Sequence, residues 1–234
     1  MQKVIVIGHR GAYGYAPGNT MLSFETAYKM KADMIELDVR ATSDGQLVCI
    51  HDSDVSKVSE TGGLVAKMTL EEIRRLDVGK GQRIPLLTEA LDFARGRIGV
   101  DIEIKVKGIE DVLFRIVSER NMICSVLFSS FLHSTLRNLK AMSSEVGTAI
   151  LYDEYMDDPV KYALDFGANA INPLAFLLTP EHANLAHESG LLIFPWTVND
   201  ARIMNELLSL GVDGIITDYP DIGRKIVSSY LASA

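Results

Sequence analysis

Apolar and β-branched positions gather into short runs, and between most of them lie stretches in which apolar residues recur at helical spacing. The runs at 4–9, 34–39, 47–51, 99–105, 126–131, 147–152, 170–173, 191–198 and 214–218 read as strands. The segments 21–31, 69–77, 88–95, 109–121, 134–142, 159–166, 180–188 and 200–210 read as amphipathic helices, several opened by Ser, Thr, Asp or Pro. Strand followed by helix, repeated along the whole chain, predicts a parallel sheet. Nine strands are one too many for an eight-stranded α/β barrel, so one of them does another job.

The extra strand is found by its connection. Only six residues separate Arg40 from Leu47, too few for a parallel crossover, and they include Asp44-Gly45, a two-residue hairpin signal. The run 47–51 therefore returns antiparallel to 34–39, leaving eight parallel strands. With Asp44 and Gly45 as the turn, Ser43 opposes Gln46, Arg40 opposes Cys49 and Asp38 opposes His51, on one face of the sheet. Residues 53–84 hold one clear helix and a Gly-rich turn at 77–81, too little for a second domain. The expected architecture is a TIM (β/α)8 barrel over residues 1–234, one domain with a hairpin after strand 2 and a small insertion at about 53–84.

Parallel strands covered on both faces usually read as unbroken apolar runs. Two of these do not. In 34–39 and 99–105, acids alternate with large apolar residues, so Glu36, Asp38, Asp101, Glu103 and Lys105 share the face opposite to the one packed on helices. In a closed barrel that face is the lumen. Converging carboxylates would cost several kcal/mol per uncompensated ion, and a hard divalent cation would reverse the balance. Glu36, Asp38 and Glu103, nearest the mouth, suit Mg2+ or Ca2+; the alternative is an ion-pair network with Arg10, Arg40 and Lys105. Asp101 lies deeper and reads as structural.

His9 and His51 end their strands at the same rim, where two imidazoles on either side of a scissile bond make an acid/base pair. Arg10 and Lys105 then point to an anionic, oxygen-rich substrate such as a phosphate. His133, His182 and His187 read as surface or packing residues. Trp196, the one tryptophan, is either a core aromatic or a wall of the site. Asp218 ends the last strand and so also reaches the mouth, where its plainer role is to cap the following turn.

Composition narrows the class. The 234 residues are 47% hydrophobic and 23% charged, with 18 glycines and 7 prolines, as in a compact globular protein. Lys+Arg 23 against Asp+Glu 31 gives a net charge of −8, and no basic stripe offsets it, which argues against nucleic acid. No apolar run exceeds five residues, so neither a membrane span nor a signal peptide is expected. Cys49 and Cys124 show no metal or disulfide spacing and fit a reduced, cytoplasmic setting.

Taken in order, His9-Arg10-Gly11, Pro17-Gly18-Asn19-Thr20, Ile35-Glu36-Leu37-Asp38-Val39, Thr42-Ser43-Asp44-Gly45, His51-Asp52, Glu103-Ile104-Lys105, Trp196-Thr197-Val198-Asn199 and Thr217-Asp218 resemble the glycerophosphodiester phosphodiesterase family. The resemblance spans 9–218. It implies hydrolysis of a small-molecule glycerophosphodiester to glycerol 3-phosphate and an alcohol, with one divalent metal ion, Mg2+ or Ca2+ or else Mn2+. It also implies His9 and His51 as catalytic residues, Glu36, Asp38 and Glu103 as metal ligands, Arg10 and Lys105 on the phosphate, and Trp196 near the glycerol. One departure stands out: Gly18 occupies a position where the family usually has glutamate. Two other readings share these residues. One is a phosphorus-oxygen lyase of the phospholipase C or sphingomyelinase D kind, which would need a membrane-facing apolar or basic loop that 53–84 does not offer; no stable membrane association is expected. The other is a ligand-binding barrel without turnover.

Overall fold

A computed structural model describes residues 4–233; residues 1–3 and 234, within the expected domain, lie outside the described residues. Its strands are β1 (Ile5–Gly8), β2 (Met34–Ala41), β3 (Leu47–Cys49), β4 (Gly99–Ile104), β5 (Val126–Ser130), β6 (Gly147–Tyr152), β7 (Ala170–Pro173), β8 (Leu192–Ile193) and β9 (Gly214–Thr217). They run β8-β7-β6-β5-β4-β2-β1-β9, neighbours parallel, with β3 antiparallel on β2. Closure across the last gap comes from single backbone bonds, Asp213 N to Ile193 O at 3.1 Å, Ile216 N to Pro195 O at 3.1 Å and Val198 N to Ile216 O at 2.8 Å. The result is a TIM barrel of eight parallel strands.

Helices α1 (Met21–Lys29), α2 (Leu70–Ile73), α3 (Leu87–Ala94), α4 (Glu110–Glu119), α5 (His133–Met142), α6 (Pro159–Asp165), α7 (Pro180–Glu188), α8 (Ala201–Ser209) and α9 (Pro220–Ser233) complete it. Their starts follow local chemistry: the side chains of Thr20, Asp158, Thr179 and Asp200 cap α1, α6, α7 and α8, with Pro159 and Pro180 in first-turn positions that need no N–H. Between strands and helices lies one large apolar core. A second, smaller cluster of Ile7, Ala149, Ala170, Phe194 and Ile216 belongs to the strands themselves. The excursion over 53–84 buries its own patch, Val55, Val65, Ile73, Leu76 and Ile84, against Val48 and Ile50.

Three sequence expectations need correction. The hairpin register is shifted by one: Val39 pairs with Cys49 and Arg40 with Val48, and Ile50 N donates to Asp38 O at 2.9 Å. The cause is a three-residue loop. Thr42 N donates to Gln46 O and Gly45 N to Thr42 O, with Gly45 at φ +76°. Gly45 therefore serves as the left-handed residue of a three-residue hairpin, not as half of a two-residue turn. The strand expected over 191–198 keeps only Leu192–Ile193, because Pro195 cannot donate to a ladder. Finally, α9 was not anticipated, although Pro220 and the spacing of Ile222, Ile226, Val227 and Tyr230 signal it. Arg224 on this helix pairs with Asp33 and ties the end of the barrel to its beginning.

Candidate active site

The parallel pairing of β2 with β4 sets Glu36 beside Asp101 and Asp38 beside Glu103. Because strand side chains alternate, all four carboxylates enter the lumen together. Glu36, Asp38 and Glu103 each present an oxygen within 4.8 Å of the others, at the end of the lumen where the strands finish. Asp101, beside Glu36 but outside this cluster, takes a bond from Ser129 Oγ at 2.7 Å.

Arg10 and Lys105 reach into this cluster, but unevenly. Arg10 Nε lies 3.3 Å from Asp38 Oδ2, while Lys105 Nζ lies 3.4 Å from Asp38 Oδ1 and 2.5 Å from Glu103 Oε1. Asn19 grips Asp38 from its other side, donating to Oδ2 at 2.7 Å and accepting from the Asp38 N–H at 3.1 Å. Glu36 receives only the backbone N–H of Arg10, at 2.7 Å, and its other oxygen is buried with no hydrogen-bond partner. Arg10 can offer that N–H because it adopts φ 47°, followed by Gly11 at 85°, a costly turn for a non-glycine residue. Arg40 does not join the cluster. Its Nε donates to the carbonyl of His51 at 2.8 Å, so the expected ion-pair network forms only in part.

Electrostatics follow from that imbalance. Burial pushes Glu36 far above the usual carboxylate range, and the charge of Asp38 adds to the effect. Burial and Asp38 push Glu103 up to about 7 against the pull of Lys105. Asp38 is also desolvated, yet Lys105 and Arg10 outweigh the burial and hold it low. Burial raises Asp101 to about 7. Three carboxylates thus face two cations in a desolvated space, with Glu36 Oε1 and Asp38 Oδ1 both buried without a hydrogen-bond partner. This is an all-oxygen donor set that suits a hard divalent ion.

The two histidines arrive from different directions. His9 follows β1 and is anchored by its N–H to Thr217 O at 2.8 Å; its Nδ1 lies 2.6 Å from Asp218 Oδ1. Asp218 in turn accepts from Asn199 Nδ2 at 2.6 Å. His51 lies beyond the end of β3, so its place is set by the chain after the hairpin and not by strand parity. Its Nδ1 stands 3.4 Å from Asp52, and burial lowers its pKa. His9, Arg10, Glu36, His51, Glu103, Lys105 and Trp196 all line a cavity of about 200 Å3. Trp196 donates Nε1–H to Asn172 O at 2.8 Å and meets Phe131 edge to face at 5.6 Å, so it is a wall of this cavity with a fixed ring. The sequence places Asp218 at the mouth as a turn cap but not on His9, and gives Asn19 no role; nothing local to either residue announces its partner. The other histidines lie elsewhere, His133 on Tyr162 and the Leu151 carbonyl and His187 on Asp213.

The glycerophosphoryl diester phosphodiesterase family model matches residues 9–222. The chain is 38% identical over 232 residues to a glycerophosphodiester phosphodiesterase of Caldanaerobacter subterraneus, covering 94% of this chain and 96% of that one. It is 30% identical over 262 residues to one from Bacillus subtilis, covering 97% and 88%. Among solved structures, it superposes with a TM-score of 0.84 and 26% identity on the Thermotoga maritima glycerophosphodiester phosphodiesterase, covering 97% and 99%. It does so with a TM-score of 0.87 and 25% identity on an Oleispira antarctica phosphodiesterase in complex with its product sn-glycerol-3-phosphate, covering 96% of each chain.

Proposed function

This chain belongs to the glycerophosphoryl diester phosphodiesterase family, and we propose that it hydrolyses small-molecule glycerophosphodiesters to glycerol 3-phosphate and an alcohol, with a divalent metal and two histidines. The observation that carries the reading is the convergence of His9, His51, Glu36 and Glu103 on one cavity, with Asp38 completing the carboxylate cluster behind them. The product bound to the structurally similar Oleispira phosphodiesterase supports the substrate class.

In this reading Glu36, Asp38 and Glu103 hold one Mg2+ or Ca2+, or Mn2+ in its place. The ion, when bound, supplies positive charge to the phosphoryl oxygens as the transition state forms. Arg10 and Lys105 bind those oxygens from the protein side, with the geometry of the Arg10 fork kept by its contact with Asp38. Burial pushes Asp218 up, but its bonds to His9 and Asn199 outweigh that and hold it low, so it is an acceptor, and Nδ1 of His9 carries the proton between them. Nε2 is thereby left for the substrate. Burial keeps His51 neutral near pH 7. Between them the two imidazoles take a proton from the attacking oxygen and give one to the departing alkoxide as the P–O bond breaks. Trp196 and Phe131 wall the side of the cavity that takes the glycerol. Cys49 is buried and Cys124 exposed, both as free thiols, which supports a cytoplasmic setting.

A phosphorus NMR time course on glycerophosphocholine and glycerophosphoglycerol tests the reading. Glycerol 3-phosphate is the expected end product; an accumulating cyclic phosphate would instead identify the lyase chemistry, and no turnover with any of the three metals would reject an enzyme of this kind.

A further inference from the structure

The two histidines of the cavity are placed by different means. The ring of His9 is gripped through Nδ1 by Asp218 at 2.6 Å. The ring of His51 has only a 3.4 Å approach from Asp52 Oδ1, a weak tether by comparison, so its reach depends on where its backbone is held. The hairpin ladder stops short of that backbone. β3 ends at Cys49, the Ile50 N–H goes to Asp38 O at 2.9 Å, and the chain then leaves the barrel for the excursion over 53–84. The carbonyl of His51 lies past this last rung, and among the described residues no main-chain N–H donates to it. A carbonyl so placed needs another donor.

Arg40 supplies it, with Nε donating to His51 O at 2.8 Å. This arginine stands on β2 two positions beyond Asp38, half-buried, and among the described residues no carboxylate lies at ion-pair distance from it, in contrast to Arg10 and Lys105. It lines a recess with Leu64, Val65 and Val106, outside the catalytic cavity, so it is not placed to touch the substrate. One strand therefore sets both ends of a short span: Asp38 belongs to the carboxylate cluster and holds Ile50, and Arg40 holds His51. An acid/base group works only within hydrogen-bond reach of the proton it moves. We propose that Arg40 is a positioning residue for His51, fixing the reach of the imidazole relative to the carboxylate cluster, and that it acts as a hydrogen-bond donor and not through its charge. The inference rests on the phosphodiesterase reading above and adds to it a residue that touches neither the substrate nor the cluster.

Two substitutions separate the donor from the charge. Arg40→Gln can put an amide N–H where Nε stands while removing the charge, and Arg40→Met puts a methyl group there and removes both. Steady-state hydrolysis of glycerophosphoglycerol and glycerophosphocholine is measured on the metal-loaded enzymes, with a melting curve for each. Arg40→Met is expected to lower kcat by about 10- to 100-fold, the scale of a small misplacement, with KM within about twofold of wild type, while Arg40→Gln keeps kcat within about threefold. In a His51→Ala background Arg40→Met should lower kcat no further, because the group it positions is gone. Should Arg40→Met not fold, Arg40→Lys takes its place, keeping the charge with a methylene at the Nε position, and the same loss is expected. Equal losses in the Gln and Met variants, wild-type kcat in both, a rise in KM without a fall in kcat, or a further loss in the His51→Ala background each overturns the role of Arg40 and leaves the phosphodiesterase reading standing. A wild type that releases glycerol 3-phosphate from neither ester, or a His51→Ala enzyme with wild-type kcat, overturns that reading and this proposal with it.

Discussion

His9 Nδ1 and Asp218 Oδ1 lie 2.6 Å apart although 209 positions separate them in the chain, because β1 and β9 are parallel neighbours and each residue follows the end of its strand. Asn199 holds the carboxylate from behind. Asp218 therefore fixes both the ring orientation and the tautomer of His9. Asp218→Asn can present an N–H to Nδ1 and favour the wrong tautomer, so kcat should fall roughly 10²-fold, within the range general acid/base groups contribute. Because Asp218 acts through His9, the same substitution in a His9→Ala background should add little. An Asp218→Asn enzyme with wild-type kcat would remove it from the mechanism.

Glu36 is the carboxylate least compensated by the protein, with one oxygen unpartnered and no ion pair among the described residues. Glu36→Gln keeps an acceptor for the Arg10 N–H while removing a buried charge. Calorimetric titration should show Mg2+ or Ca2+ affinity reduced by at least about 10-fold on losing a ligand. Thermal melts of the metal-free protein at neutral pH should show Glu36→Gln more stable than wild type, since glutamine removes the free-energy cost of burying an acid whose pKa is pushed far up. Unchanged metal affinity would exclude Glu36 as a ligand.

The acid cluster also sets a pH dependence of stability. Burial raises Glu103 and Asp101 to about 7 from ordinary values of 4.5 and 3.8. Between those limits the folded metal-free protein binds more protons than the unfolded chain, so its stability falls as pH rises toward 7, by up to about 1.4 kcal/mol per pH unit for each group. Asp38 and Asp218 are lowered instead, and their contribution is lost only at pH below the ordinary carboxylate range. A divalent ion should cancel the loss, so the shift in Tm produced by Mg2+ or Ca2+ should grow from pH 5 to pH 8. A shift independent of pH would contradict this account of the cluster.

The site was legible in the sequence where strand alternation carries it. Acids at 36 and 38, and at 101 and 103, announce one inward face, and the parallel register of β2 and β4 brings them together. The hairpin was legible as a hairpin but not in its register, because Asp44-Gly45 fits both a two-residue turn and the three-residue loop that forms, and the choice shifts every pair by one. His51 reaches the cavity regardless, since it lies past the end of β3. The shortening of β8 was readable from Pro195, and α9 from its apolar spacing. Asn19 on Asp38 and Asp218 on His9 are contacts across the barrel that no local pattern encodes.

The most direct test of the central claim is release of glycerol 3-phosphate from a glycerophosphodiester by protein stripped with EDTA and then reloaded separately with Mg2+, Ca2+ and Mn2+, for wild type, His9→Ala and His51→Ala. The account predicts no turnover after stripping, recovery with at least one metal, and kcat lower by roughly 10²–10⁴-fold in each histidine variant with melting curves near wild type. Full activity in EDTA, or near-normal turnover by both variants, would contradict it.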